Sequence, residues 1–435
     1  MLRDQLRESR SHIGDHVYEL AVLVGVYLVG RGGVVSSLDE LSGLAEAARV
    51  CVVGRITQRR SKPEAATYIG SGKLEELKEL VNATDANLVI FDNDLAPGQT
   101  KNLEEYLGVK VIDRTELILD IFASRAKTNE ARLAVELAQL EYSLPRLKRM
   151  WTHLERQGVG GVGLRGPGEK QLEVDRRLAQ RRILDLKLEL GTIQRRRNRE
   201  VTARKTLCTV SLVGYTNAGK STLLNRLTDS DVYVRDQLFA TLDTRTRRWS
   251  LPGWGPVLLS DTVGFIRDLP HHLIASFRAT LEEANQADLL LHIADASSDE
   301  VSFQIDAVFQ VLTEIGIRDK DTLLVLNKID LLESDCLKVL LSRYPNAIPI
   351  SADRGIGIEN LTIAVSDILS KEFLELTIEL PVADGRLMAL LARDGEILSK
   401  QYGEETVCVH CRIPQHLVGR LRQEKEIRGL PENVS

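Results

Sequence analysis

The spacing of apolar positions divides the chain into four stretches. The run VYELAVLVGVYLVG from Val17 is apolar except for Glu19, and Ala21 to Leu28 has the composition of a buried strand. Ser37-Leu38-Asp39-Glu40 fits a capping box and predicts a short helix. Val50 to Ile56 predicts the next strand, and Gly70-Ser71-Gly72-Lys73 leads into the helical LEELKELV. Leu88 to Phe91 and Val109 to Ile112 predict two more strands. This alternation implies a small N-terminal α/β domain over residues 1–113.

From Arg114 the period changes. Leu133, Leu137 and Leu140 recur at spacings of three and four, which predicts helix as far as Arg156. The glycine-rich GVGGVGLRGPG, Gly158 to Gly168, interrupts that pattern, and a second helical run covers Gln171 to Arg199. Two helices around a glycine loop predict an antiparallel helical hairpin over residues 114–205. Strands and helices alternate again from Leu207 to Lys371, a third domain over 206–371. The remainder, 372–435, reads strand, helix, strand, strand: LELTIELP, GRLMALLARDG, EILSKQYG and ETVCVHCRI, a small α+β domain. No internal repeat is visible.

Composition narrows the class. A chain of 435 residues with 43% hydrophobic content has room for two to four domains with real cores. The early apolar run is too short to span a bilayer and lacks the basic start and small-residue cleavage site of a secretory signal, so no membrane span is expected. Five scattered cysteines, Cys51, Cys208, Cys336, Cys408 and Cys411, suggest a reducing, cytoplasmic setting. The net charge of −5 is unevenly spread. Pro145 to Lys205 holds 17 Lys or Arg against 7 Asp or Glu, with Arg195-Arg196-Arg197 and pairs starting at Arg176 and Arg181. A charge run is ordinarily a solvated helix face. Beside a glycine-rich tip carrying Arg165, RNA phosphate binding is the better reading.

The chemistry lies in the third domain. Gly214-Tyr215-Thr216-Asn217-Ala218-Gly219-Lys220-Ser221 fits G-x-x-x-x-G-K-[ST], between an apolar strand and the helix-forming STLLNRL. Its glycines turn backbone N–H groups onto phosphate oxygens, Lys220 neutralises the β and γ phosphates, and the Ser221 hydroxyl is a Mg²⁺ ligand. Four further elements follow in order. Leu238-Phe239-Ala240-Thr241-Leu242-Asp243 offers Thr241 as a second metal-side hydroxyl, near the γ-phosphate. Asp261-Thr262-Val263-Gly264 ends an apolar strand; Asp261 holds Mg²⁺ through water and the Gly264 N–H meets the γ-phosphate. Asn327-Lys328-Ile329-Asp330 places a carboxylate against the N1–H and 2-amino group of guanine, two donors that adenine lacks, with the Lys328 stem over the base. Ser351-Ala352-Asp353 places the Ala352 N–H at the guanine O6. Alone, NKID reads as a helix-capping loop and SAD as a turn. Together the five elements read as a Mg²⁺-dependent P-loop GTPase domain binding GTP and GDP, with Lys220, Thr241 and Gly264 as its catalytic residues.

One position departs from expectation. The residue after Gly264 is Phe265, where many GTP hydrolases carry a water-orienting Gln. Hydrolysis by the free protein is therefore expected to be slow, the missing group coming from elsewhere in the domain, from ions or from a partner. Asn217 offers a place for a K⁺ ion beside the phosphates; the alternative is that it only braces the loop.

Outside these elements the chain resembles the HflX-type ribosome-associated GTPases, among the translation-factor-related GTPases. The carrying stretches are RITQRRSKPEAATYIGSGKLEEL (Arg55 to Leu77), VIDRTELILDIFASRA (Val111 to Ala126), GVGGVGLRGPGEKQLE (Gly158 to Glu173) and LFATLDTRTRR. The resemblance implies an N-terminal α/β domain, a helical hairpin, the GTPase domain and a small C-terminal domain. It also implies binding to the large ribosomal subunit and its rRNA, in ribosome splitting, rescue or assembly. The family usually has Pro after TLD, where this chain has Thr244. A monomer when free is expected.

Weaker signals leave alternatives. Gly70-Ser71-Gly72-Lys73 opens a helix and could bind an anion, which would suit an ATP-using RNA-remodelling protein; a plain loop-to-helix turn is the other reading. A signalling switch without ribosome binding is the third possibility. Cys408 and Cys411, with His416 nearby, suggest zinc, but strand alternation puts the two cysteines on opposite faces. His292 reads as a core histidine, and His271 and His272 as exposed side chains without a role.

Overall fold

The computed structural model describes residues 19–28, 38–146, 167–203, 207–228, 238–239, 245–252, 254–267, 283–317, 320–381, 385–403, 405–414, 418 and 421. The chain forms two compact units, one of residues 1–125 and 135–183, the other of 126–134 and 184–435.

In the first unit, strands β1 (Leu20–Leu28), β2 (Cys51–Arg60), β3 (Leu88–Phe91) and β4 (Lys110–Asp113) form a parallel sheet in the order β2-β1-β3-β4. The near-continuous apolar run of β1 belongs to its central place, since a parallel strand covered on both faces buries every side chain. Its neighbour β2 lies at the edge, alternates in exposure and runs four residues beyond the predicted Ile56. The connecting helices are α1 (Asp39–Ala47), α2 (Ser71–Thr84) and α3 (Pro97–Leu107), followed by α4 (Arg114–Arg125). Val24, Leu77, Phe91 and Leu103 meet in one apolar core.

Two local expectations need amendment. Helix α1 starts at Asp39 after Leu38, with no side-chain cap bond; Ser37, the expected cap, lies outside the described residues. The N–H of Gly70, which precedes α2, is taken by Gln58 Oε1 at 3.0 Å, and Lys73 pairs with Glu76 at 2.7 Å. These groups serve the local turn.

The helical run expected from Arg114 breaks at residues 126–128. The Thr128 hydroxyl accepts the Ala131 N–H at 3.2 Å and so starts α5 (Asn129–Ser143) as a new helix. Helix α6 (Pro167–Ala203) is about 55 Å long at 1.5 Å per residue. Arg182 of α6 forms a two-pronged ion pair with Glu136 of α5, at 2.7 and 2.9 Å. The glycine-rich tip up to residue 166 lies outside the described residues, as do His271, His272 and His416.

The second unit contains a six-stranded sheet in the order β10-β9-β8-β5-β7-β6. Its strands are β5 (Thr209–Gly214), β6 (Arg245–Leu251), β7 (Gly255–Asp261), β8 (Leu289–Asp295), β9 (Thr322–Asn327) and β10 (Ile348–Pro349). All pairings are parallel except the β6–β7 hairpin. Helices α7 (Lys220–Thr228), α8 (Val301–Glu314), α9 (Ser334–Arg343) and α10 (Ile358–Glu372) connect the strands. Chain order places β6 and β7 on one side of β5 and β8 on the other, so the sheet reverses its winding beside β5. Open α/β sheets bind ligands outside the carboxyl ends of the strands at such a point.

A second sheet of this unit is antiparallel, ordered β11 (Phe373–Pro381), β13 (Thr406–Pro414), β12 (Glu396–Tyr402), with α11 (Gly385–Asp394) between β11 and β12. Val407, Val409, Cys411 and Ile413 are all buried on one face of β13, so Cys411 packs as an apolar core residue. Arg412, on the other face, pairs with Glu375 at 2.9 Å and stacks on the Trp254 ring at the tip of the β6–β7 hairpin. Among the described residues no helix is long and apolar enough to cross a membrane.

Candidate functional site

Strand β5 ends in the middle of its sheet, and the chain turns through Tyr215 to Gly219 into α7. The turn needs left-handed backbone: φ is 61° at Asn217 and 91° at Gly219. A Cβ on Gly219 would collide with the Asn327 amide nitrogen, so only glycine lets the two loops approach. Lys220 is buried, its Nζ donating to the carbonyls of Gly214 and Tyr215 at 3.1 and 2.9 Å. Burial pulls its pKa down to about 8, with the Asp261 charge opposing.

Ser221 Oγ donates to Asp261 Oδ2 at 2.6 Å, and Asp261 is fully buried at the end of β7. The next residue is fixed too, since Thr262 Oγ1 donates to Leu212 O at 2.7 Å. A hydroxyl and a carboxylate side by side are the hard oxygen donors that would suit Mg²⁺. The donor set fits the ion, although no cluster of three His, Cys, Asp or Glu side chains occurs among the described residues.

Loops at the ends of β9 and β10 close the other side. Asn327 Nδ2 donates to Ala218 O at 2.8 Å, and its Oδ1 accepts the Ala352 N–H at 3.0 Å. One amide therefore joins three of the five sequence elements. Lys328 is left-handed at φ 63° and pairs with Asp295 Oδ2 at 2.8 Å. Ile329 and Asp330 lie in a 3-10 turn, and Arg354 Nε pairs with Asp330 Oδ2 at 3.2 Å. Ser351 Oγ accepts the Arg354 N–H at 3.1 Å, and Arg226 of α7 donates to the carbonyls of Ala352 and Asp353.

The structure thus brings together Gly214 to Ser221, Asp261 to Gly264, Asn327 to Asp330 and Ser351 to Asp353. Of the remaining element, Phe239 is buried in the same neighbourhood; Ala240, Thr241, Leu242 and Asp243 lie outside the described residues. Asp295, Arg226 and Arg354 support the loops and were not singled out by motif. Asp295 alone had a visible signal, as the one acid ending the apolar run LLLHIAD. His292, opposite Val213 in the sheet, is a buried core histidine, edge-on to the Phe309 ring; burial holds its pKa down to about 3.

Three family models match in succession. They are described as GTP-binding GTPase N-terminal over residues 35–123, GTP-binding GTPase Middle Region over 125–204 and 50S ribosome-binding GTPase over 209–328. The chain is 46% identical over 402 residues to the GTPase HflX of Escherichia coli strain K12, covering 91% of this chain and 94% of that protein. The chain belongs to the GTPase HflX family. The HflX protein of Caldanaerobacter subterraneus subsp. tengcongensis is 45% identical, with 89% of each chain covered. Membership makes this protein a P-loop GTP hydrolase, in agreement with the five elements read from its sequence. The crystal structure of SsGBP in complex with GDP aligns with 81% of this chain and 99% of its own at 27% identity and a TM-score of 0.47.

Proposed function

We propose that the protein binds GTP across the loops at the ends of β5, β7, β9 and β10 and hydrolyses it on the large ribosomal subunit, in ribosome splitting, rescue or assembly under stress. The observation that carries the nucleotide assignment is the Asn327 bridge from Ala218 to Ala352, which spaces the phosphate loop and the base-reading loops as one site. The ribosomal assignment is supported by the 50S ribosome-binding description of the matching family model and by the positive charge of residues 145–205.

In this reading the backbone N–H groups from Asn217 to Ser221 hold the phosphates, the Thr216 N–H being taken by the Phe265 carbonyl, and Lys220 turns from its two carbonyls to the β and γ oxygens. Asp330 reads the guanine N1–H and amino group, Lys328 covers the base, and the Ala352 N–H meets O6, flanked by Ile329, Ser351 and Asp353. Ser221 and Thr241 would ligate Mg²⁺, with Asp261 holding it through water, and the ion would supply charge neutralisation at the phosphates. The loop residues Phe239 to Asp243 and Thr262 to Gly264 surround the γ-phosphate, whose oxygen accepts the Gly264 N–H. The reaction is in-line attack of water, driven by positioning and charge stabilisation.

The Phe265 ring is buried and offers water no hydrogen bond. The free enzyme is therefore slow, and the subunit completes the reactive geometry. Residues 1–113 and the hairpin of 114–205 engage rRNA, 206–371 hydrolyse GTP, and 372–435 form the C-terminal domain of a cytoplasmic protein that is monomeric when free. Asn217 either holds K⁺ beside the phosphates or braces the loop; equal rates in potassium and sodium buffers would assign bracing.

Co-sedimentation with large subunits tests the reading. Binding should be stronger with a non-hydrolysable GTP analogue than with GDP, and subunits should raise the GTPase rate at least about tenfold. A rate unchanged by subunits across a range of salt would favour a stand-alone signalling switch.

A further inference from the structure

Hydrogen bonds fasten two loops onto the first half of the P-loop. Phe265 donates its N–H to Gly214 O at 3.1 Å and accepts the Thr216 N–H at 2.6 Å, forming a parallel bridge with Tyr215. Two residues on, the Arg267 N–H donates to the Tyr215 phenol oxygen at 2.7 Å. From the other loop, the Phe239 N–H donates to Thr216 Oγ1 at 2.9 Å. Thr216 is thus bonded through its backbone to one loop and through its hydroxyl to the other.

These bonds are shielded and act on a strained chain. Thr216 is 6% exposed and Phe239 2%. Phe239 has φ 54°, a left-handed conformation uncommon for an aromatic residue, which persists only where its surroundings hold it. Gly264 stands against the same P-loop residue. A Cβ on it would lie 2.8 Å from Thr216 Cα and 3.0 Å from Lys220 Nζ. The place of Thr216 therefore sets how closely Gly264 approaches the phosphate lysine.

We propose that Thr216 is a positioning residue for hydrolysis, coupling the loop at Phe239 to the loop at Gly264 and Phe265 so that they move as a pair. A pull on Gly264 reaches Thr216 through the Phe265 carbonyl. Displacing Thr216 then deprives the Phe239 N–H of a buried acceptor, which couples the two movements. Phe239 stands two residues before Thr241 in the sequence. The inference rests on the nucleotide site proposed above, and Lys220→Ala tests that site separately. Retained GDP affinity in Lys220→Ala would count against the site itself.

The test compares Thr216→Val, which keeps the β-branched shape and backbone N–H but loses the acceptor, with Thr216→Ser, which keeps the hydroxyl. The readouts are amide exchange at residues 238–239 and 262–267 with GDP or a non-hydrolysable GTP analogue, single-turnover hydrolysis, and GDP affinity. In the wild type and Thr216→Ser, the analogue should protect both loops together. In Thr216→Val it should protect only 262–267, with the Phe239 amide exchanging at least about fivefold faster. Hydrolysis should fall about tenfold there, while GDP affinity changes by less than about threefold. Tyr215→Phe, which removes the acceptor of Arg267, should leave Phe239 protected. Joint protection and a wild-type rate in Thr216→Val would overturn the coupling. So would Thr216→Ser behaving like Thr216→Val, since packing and not the hydroxyl would then matter.

Discussion

The two parallel sheets of this protein use the carboxyl ends of their strands in opposite ways. In the sheet of β1 to β4 those ends are filled by the chain's own charges. Asp92, after β3, pairs with Arg114 at 2.7 Å, and Arg114 reaches Glu40 at 3.2 Å. Asp113, ending β4, accepts hydrogen bonds from Tyr142 OH, the Glu116 and Leu95 N–H groups and Arg146. Burial still keeps its carboxyl above the usual carboxylate pKa. Asn93 bonds both backbone groups of Val26, closing the gap beside β1. In the sheet of β5 to β10 the same positions carry glycine turns, a buried lysine bonded to two carbonyls and a hydroxyl beside a carboxylate, and the ion pairs there, Lys328 with Asp295 and Arg354 with Asp330, are partly open to solvent. Polar groups at strand ends become a binding site where a ligand can replace their internal partners. Where charged side chains neutralise one another in buried pairs, as Asp92 and Arg114 do, the same architecture is a joint.

The largest effect expected of this contrast is in Asp330→Asn. Guanine nucleotide affinity should fall at least about 1,000-fold, because an amide cannot accept both guanine donors, while xanthine nucleotides gain. Titration of GDP and XDP reads both. Unchanged GDP affinity would remove Asp330 from base recognition.

Asp113→Ala should do the reverse. Leaving Tyr142 and Arg146 beside a lost carboxylate should lower the unfolding free energy by about 3 kcal/mol in denaturant titration. GDP affinity should stay at the wild-type value, and a parallel loss would mean that the first sheet is no mere joint.

A smaller effect concerns pH. Lys220 has a pKa of about 8 in the free protein, and bound phosphates favour its charged form. Affinity is therefore greatest below that value and declines as pH rises through it, by about fourfold from pH 7 to 8.5. Isothermal titration in buffers of different ionisation enthalpy should show proton uptake on GDP binding; none would place the Lys220 charge elsewhere.

The smallest effect belongs to the exposed pair of Glu136 and Arg182. Arg182→Ala should cost about 0.5 kcal/mol of stability, with no change in GDP affinity. A loss of several kcal/mol would show that this surface pair acts as a buried joint does.

Much of this was legible in the chain itself. Apolar runs set the places of β1 and β3, because a strand covered on both faces buries nearly every side chain. The alternation of Val407, Val409, Cys411 and Ile413 in the sequence marks the buried face of β13. The P-loop GTPase class was readable because backbone approach to phosphate demands glycine at fixed spacing from a strand end. Other features depend on residues far apart in sequence. No local pattern announces that Asn327 would span Ala218 and Ala352, that Arg354 would pair with Asp330, or that Thr216 would join Phe239 to Phe265. The break at residues 126–128 was missed because Thr128 caps a helix inside a continuous helical period. Short-range sterics and hydrophobic period act within a few residues and are written locally. The partner of a hydrogen-bonding side chain is chosen only when strands pair and bring distant loops within about 3 Å of each other, and that choice belongs to the tertiary fold.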